Sequence, residues 1–171
     1  MEIRSIEQTP IVWRKIKQSS REHPSQFWEL VEFQVDDNQL SGRIPATLGR
    51  LKSIQVLSLG LNNLVGEIPS SIFNLSSLTE LWFGSNQLHG ILPWNLGLLL
   101  PNLQNFDVAF NRFIGSVPPS LSNASNLVQL QLSANKFSGS VPSMASSPKL
   151  FRFSINQTFL GTGKANDLRF F

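Results

Sequence analysis

The chain has 171 residues, 41% hydrophobic and 15% charged, with a formal net charge of +3 and no cysteine. That length suits one domain, and the lack of cysteine excludes a disulfide framework and any thiolate nucleophile or metal ligand. No run approaches the roughly 18 apolar residues of a membrane-spanning helix; the nearest, Leu96-Gly97-Leu98-Leu99-Leu100, is cut by Pro101.

Residues 1–27 differ in character from the remainder of the chain. They carry Arg4, Arg14, Lys15, Lys17 and Arg21 against Glu2, Glu7 and Glu22. Their longest apolar run, Ile11-Val12-Trp13, is too short for the core of a signal peptide. The expectation is a basic leader foreign to the repeat region and poorly ordered. Two other readings stay open. A short helix capped by Thr9, with Pro10 at its first position and running through Ser19, would set Trp13 and Ile16 against the next element. Alternatively, the basic and aromatic segment would lie on a membrane surface.

From residue 28 onward one pattern recurs. Asn38, Asn62, Asn86, Asn111 and Asn135 succeed one another at steps of 24, 24, 25 and 24 residues, and each has apolar residues three, five and eight places before it. Leu30, Phe33 and Val35 are thus matched by Ile54, Leu57 and Leu59, by Leu78, Leu81 and Phe83, by Leu103, Phe106 and Val108, and by Leu127, Leu130 and Leu132. A period of 20 to 29 with this leucine spacing marks a leucine-rich-repeat solenoid, each unit giving one short strand to a parallel sheet. The period-two alternation points these side chains inward and their neighbours outward. The five asparagines read as structural, because an amide can pair the backbone groups left open where each strand turns away. A sixth unit starts at Leu150, Phe153 and Ile155, puts Thr158 in the asparagine position, and remains partial.

Each asparagine is succeeded by an apolar residue, then Gly, then an aliphatic-Pro pair, as in Leu40-Ser41-Gly42-Arg43-Ile44-Pro45 and again up to Pro69, Pro93, Pro118 and Pro142. This element resembles the plant-specific leucine-rich repeat of receptor-like kinase ectodomains, receptor-like proteins and polygalacturonase-inhibiting proteins. The closing residues, Leu160 to Phe171, resemble the irregular last repeat of the subfamily that holds bacterial-elicitor immune receptors. The resemblance covers about residues 28–160. It implies an α/β solenoid, mostly β with short 3-10 turns: a right-handed superhelix of five full repeats and a partial sixth, with a second short strand at each Gly-x-Ile-Pro segment. It also implies a non-catalytic module truncated at both ends, since the cysteine-paired caps and the kinase of the family are not in this chain. An intact relative would sit in the plasma membrane, facing outward, and signal with a co-receptor kinase. An inhibitor of cell-wall-degrading enzymes on the same repeat is the alternative, and an inert truncated product a third reading.

Catalytic chemistry finds little support. The two histidines, His23 and His89, lie far apart in sequence. Gly161-Thr162-Gly163-Lys164 lacks the first glycine and final hydroxyl of a phosphate-binding loop, having Thr158 and Ala165 there. No cofactor is expected. Three sequons mark glycosylation sites at Asn74, Asn123 and Asn156, of which Asn74 and Asn123 share one place on the outer side of a coil.

The candidate site is the concave sheet face. Outward residues four before each asparagine position run Gln34, Ser58, Trp82, Asp107, Gln131 and Ser154; six before, Glu32, Val56, Glu80, Asn105, Gln129 and Arg152; two before, Asp36, Gly60, Gly84, Ala109, Ser133 and Asn156. Six strands about 4.8 Å apart span roughly 24 Å, enough for about seven residues of extended peptide. Trp82 stands as an aromatic anchor beside small residues, and the face carries Glu32, Asp36, Asp37, Glu80 and Asp107 against Arg152. Glu80, Trp82, Asn105, Asp107, Gln129 and Gln131 are therefore the predicted ligand-binding residues. Such a face favours a cationic peptide or protein and disfavours nucleic acid.

Overall fold

A computed structural model describes residues 15–18, 29–145 and 147–161. Strands β2 (Leu30–Gln34), β4 (Val56–Ser58), β6 (Glu80–Trp82), β8 (Asn105–Asp107), β10 (Gln129–Gln131) and β12 (Arg152–Ser154) stack in parallel, one per repeat. Their register is unbroken: Phe33, Leu57, Leu81, Phe106, Leu130 and Phe153 lie in one row across the sheet. A second parallel sheet, built from the Gly-x-Ile-Pro side of each unit, holds β3 (Ser41–Arg43), β5 (Asn63–Gly66), β7 (Gln87–Ile91), β9 (Arg112–Gly115), β11 (Lys136–Gly139) and β13 (Phe159–Leu160). Short 3-10 turns at Ala46–Arg50, Ile72–Asn74 and Pro119–Asn123, and one helical turn, α1 (Leu96–Leu99), close the coils on the far side. This is the leucine-rich-repeat solenoid the sequence predicts.

The core is the predicted leucine set. Ile54, Leu57, Leu78, Leu81, Phe106, Leu127 and Leu130 have no exposed surface, and Phe113 stacks on Phe137 with ring centroids 6.2 Å apart. On the outer side the coils touch where a glycine leaves room. Gly97 N–H donates to Ser120 Oγ (3.0 Å), whose hydroxyl donates to the Trp94 carbonyl (2.8 Å).

Part of what the sequence sets apart as a leader joins the sheet. Lys15–Gln18 forms β1, antiparallel to β2, with Lys15 opposite Gln34 and Lys17 opposite Glu32. These four residues are extended, where one sequence reading placed a helix. Their backbone occupies the edge of the sheet that would otherwise present unpaired donors and acceptors. The expected disorder of the leader and the irregular last repeat fall on 1–14, 19–28 and 162–171, which lie outside the described residues.

From the second repeat onward each asparagine amide ties two repeats together. Asn111 Nδ2 donates to the carbonyls of Val108 and Ala109 in its own turn and of Phe83 in the preceding repeat, and its Oδ1 accepts the Leu88 N–H at 2.9 Å. Asn62, Asn86 and Asn135 repeat this arrangement, accepting from Leu40, Leu64 and Phe113. Among the described residues Asn38 has two bonds, both within its own turn, to Val35 and Asp36. A buried backbone group left unpaired costs about 1–3 kcal/mol. Asn111→Ala is therefore expected to lower unfolding free energy by at least about 3 kcal/mol, and Asn38→Ala by clearly less. Urea titration monitored by circular dichroism measures both; equal losses would show that the bond to the preceding repeat contributes nothing.

Candidate functional site

The six parallel strands of the long sheet end in the same backbone device. The residue just before each asparagine position, namely Asp37, Leu61, Ser85, Phe110, Ala134 and Gln157, has φ between 52° and 58°. In the first five the N–H donates to the next repeat, as Leu61 does to the Gly84 carbonyl (2.9 Å) and Phe110 to that of Ser133 (2.9 Å). Left-handed backbone costs an L-residue roughly 1–2 kcal/mol and suits Asn or Asp best. Leu61 and Phe110 nonetheless take it with their side chains 57% and 59% exposed.

This turn breaks the strict alternation of the strand and brings a further row onto the sheet face. A groove of about 440 Å³ results. Its floor is the small-residue row Gly60, Gly84 and Ala109, continued by Asp36; one wall is Gln34, Ser58, Trp82, Asp107 and Gln131; the other is Leu61, Ser85 and Phe110. The floor is bare where it matters. A Cβ at Gly84 would sit 2.8 Å from Asp107 Oδ1, and one at Gly60 would sit 3.2 Å from the Gly84 carbonyl oxygen.

Of the six residues predicted from sequence, Trp82, Asp107 and Gln131 line the groove, and Glu80, Asn105 and Gln129 lie one row beyond it on the same strands. All six are half-buried. Glu80 still serves the groove, because its Oε2 accepts the indole N–H of Trp82 at 2.8 Å and so fixes the ring. Asp107 Oδ1 accepts the Ala109 N–H, also at 2.8 Å. Leu61, Ser85 and Phe110 are additions that the alternation argument misses. The signal for them was a bulky apolar residue immediately before Asn62 and Asn111, where the other repeats have Asp37, Ser85, Ala134 and Gln157. Asn74 and Asn123 are exposed and each ends a 3-10 turn on the outer side; Leu98 holds the corresponding place in the third repeat. Asn156 is exposed at the edge strand, its Oδ1 accepting from Ser133 and Ser154 hydroxyls. Among the described residues no group of three or more His, Cys, Asp or Glu is placed to hold a metal, and no helix is long and apolar enough to cross a membrane.

These stacked coils, the first five with an asparagine at the turn, make the molecule a leucine-rich-repeat solenoid. Residues 53–75, 77–99 and 102–124 match the leucine-rich-repeat family model. Among solved structures the chain is similar to plant receptor-kinase ectodomains. With the Arabidopsis receptor kinase HAESA, solved with the peptide hormone IDA and the co-receptor SERK1, it shares 29% identity over 78% of this chain and 22% of that one, with a TM-score of 0.73. The plant peptide hormone receptor RGFR1, in complex with RGF2, is 32% identical over 78% of this chain and 21% of that one (TM-score 0.74). The ectodomain of the receptor kinase SOBIR1 from Arabidopsis thaliana is 27% identical, covering 88% of this chain and 85% of that one (TM-score 0.76). The chain thus spans about a fifth of the two peptide-hormone receptors. A search of curated proteins finds no match.

Burial raises the pKa of Asp107, against the lowering effect of its bond from Ala109. The folded state therefore holds the proton more tightly than the unfolded one, and stability falls as pH climbs from the unfolded carboxylate range through the raised folded value. Asp107→Asn keeps the acceptor for Ala109 and removes the charge. It is expected to melt a few degrees above the parent at pH 7 and level with it near pH 3. Thermal denaturation at the two pH values decides this, and a gap that widened on acidification would contradict the burial account.

Proposed function

We propose that this chain is the ligand-recognition part of a plant receptor-like kinase and binds an extended peptide, or a peptide-like segment of a protein, in the groove on its concave sheet face. The observation that carries the reading is the pairing of Trp82 with Leu61 and Phe110 across a floor of Gly60, Gly84 and Ala109. A flat floor one side chain deep, crossing several strands, accepts a main chain at right angles to the strands. The aromatic and apolar walls supply anchors of the kind that dominate binding energy. Leu61 and Phe110 support the reading a second way, since their bulky apolar side chains stand exposed along one wall of the groove, and exposed apolar surface of this kind marks interaction sites.

The similar receptors fit this use, HAESA being solved with a peptide hormone and a co-receptor and RGFR1 with RGF2. The intact protein would then sit in the plasma membrane with this unit outside, in immune or developmental signalling, and the occupied groove would recruit a co-receptor kinase. Glycans on Asn74 and Asn123 would stand on the outer side of the coils, away from the groove.

Selection from a randomised heptapeptide library on the purified protein tests the proposal. Enriched peptides are expected to bind the Leu61→Asn, Phe110→Asn double variant at least about tenfold more weakly, while that variant melts at or above the parent temperature, because Asn tolerates the left-handed turn. Binders indifferent to the double variant and to Trp82→Ala would place recognition on another surface and end this reading.

A further inference from the structure

Half-way along the groove, Trp82 and Asp107 face the same side as register partners on adjacent strands, β6 and β8. Neighbouring strands lie about 4.8 Å apart, so a flat group resting on the indole has the carboxylate at its edge. Both side chains are held in advance. The indole is fixed by its bond to Glu80 Oε2, and that carboxylate at its N–H edge adds negative charge beside the ring. The Asp107 carboxylate is fixed by the Ala109 N–H and leans over Gly84, where any side chain would collide with it. Its Oδ2 makes no hydrogen bond among the described residues. Among the described residues the groove lining contains two carboxylates, Asp36 and Asp107, and no basic residue, in a chain whose net charge is +3. Arg152 lies two strands beyond Asp107 and one row away from the groove.

We propose that Trp82, Asp107 and Glu80 form a subsite for a guanidinium group, so that the peptide held in the groove presents an arginine at this point. The inference rests on the peptide-binding reading above and adds the chemistry of one position. A guanidinium is planar, stacks on an indole face, and directs its N–H fork along its own plane toward a carboxylate. An ammonium group would satisfy the charge but forgo the stacking. A neutral side chain would leave Asp107 Oδ2 desolvated with nothing to replace its water.

The test uses the whole chain and two acetylated, amidated heptapeptides of glycine and leucine, one with a central arginine and the other with citrulline, which keeps the planar shape but has a carbonyl acceptor in place of one N–H2 donor group and no charge. Calorimetry gives the affinities, and the Trp82 indole and Ala109 amide resonances report the location. The expected result is a preference of at least about tenfold for arginine, falling to about one in Asp107→Asn and shrinking in Trp82→Leu. Equal binding of both peptides in the groove, or a preference that survives Asp107→Asn, would overturn the subsite and leave the peptide reading standing. Failure of both peptides to move either resonance would also overturn the subsite, with the peptide reading then decided by the library selection.

Discussion

The structure depends on an amide in each turn. A strand three residues long that bends back into a coil leaves carbonyls and an N–H that the sheets do not pair, and these lie inside the molecule. Asparagine answers with two donors and an acceptor on a short stem. Asn62, Asn111 and Asn135 are buried, and their bonds reach both their own turn and the one before. The hydrophobic rows of Leu57, Leu81, Phe106 and Leu130 supply the larger part of the driving force, yet only with the turns pinned do these rows fall into register. No buried side-chain nitrogen or oxygen is left without a partner among the described residues.

What could be read from residue order alone was whatever repeats. The period, the inward leucines, the amide ladder and the rows on the sheet face all come from spacing, because every coil solves the same local problem. Trp82, Asp107 and Gln131 were reached by that route. The second wall was not, since strict alternation stops where the backbone turns left-handed, and counting by twos cannot register a change in the sign of φ at Leu61 or Phe110. Strand β1 was missed for another reason. Lys15–Gln18 has no pattern of its own, and its conformation is decided by the free edge of β2. The tether of Glu80 to Trp82 depends on side-chain rotamers, and no spacing rule contains it.

The groove concentrates features that stability alone would not choose: exposed Leu61 and Phe110 on left-handed backbone, a carboxylate held under partial burial, and a bare glycine floor. At the same turn position the other repeats carry Asp37, Ser85, Ala134 and Gln157, none of them a bulky apolar side chain. The departures cluster within the middle repeats and surround one volume. Local choices that conflict with the fold while agreeing with one another are the physical mark of a surface shaped by something other than folding.

Thr158 gives the array a direction. At the sixth repeat its hydroxyl donates to the Ile155 carbonyl of its own strand, and among the described residues it makes no bond to the fifth. Every earlier unit from the second onward completes its predecessor through an amide; the sixth is joined to the fifth by sheet bonds, packing and the Ser133 hydroxyl, which bonds Ser154 and Asn156. The junction between the fifth and sixth repeats thus lacks, among the described residues, the amide link that the junctions around the groove have, and amide exchange is expected to be faster in the sixth strand than in the central repeats.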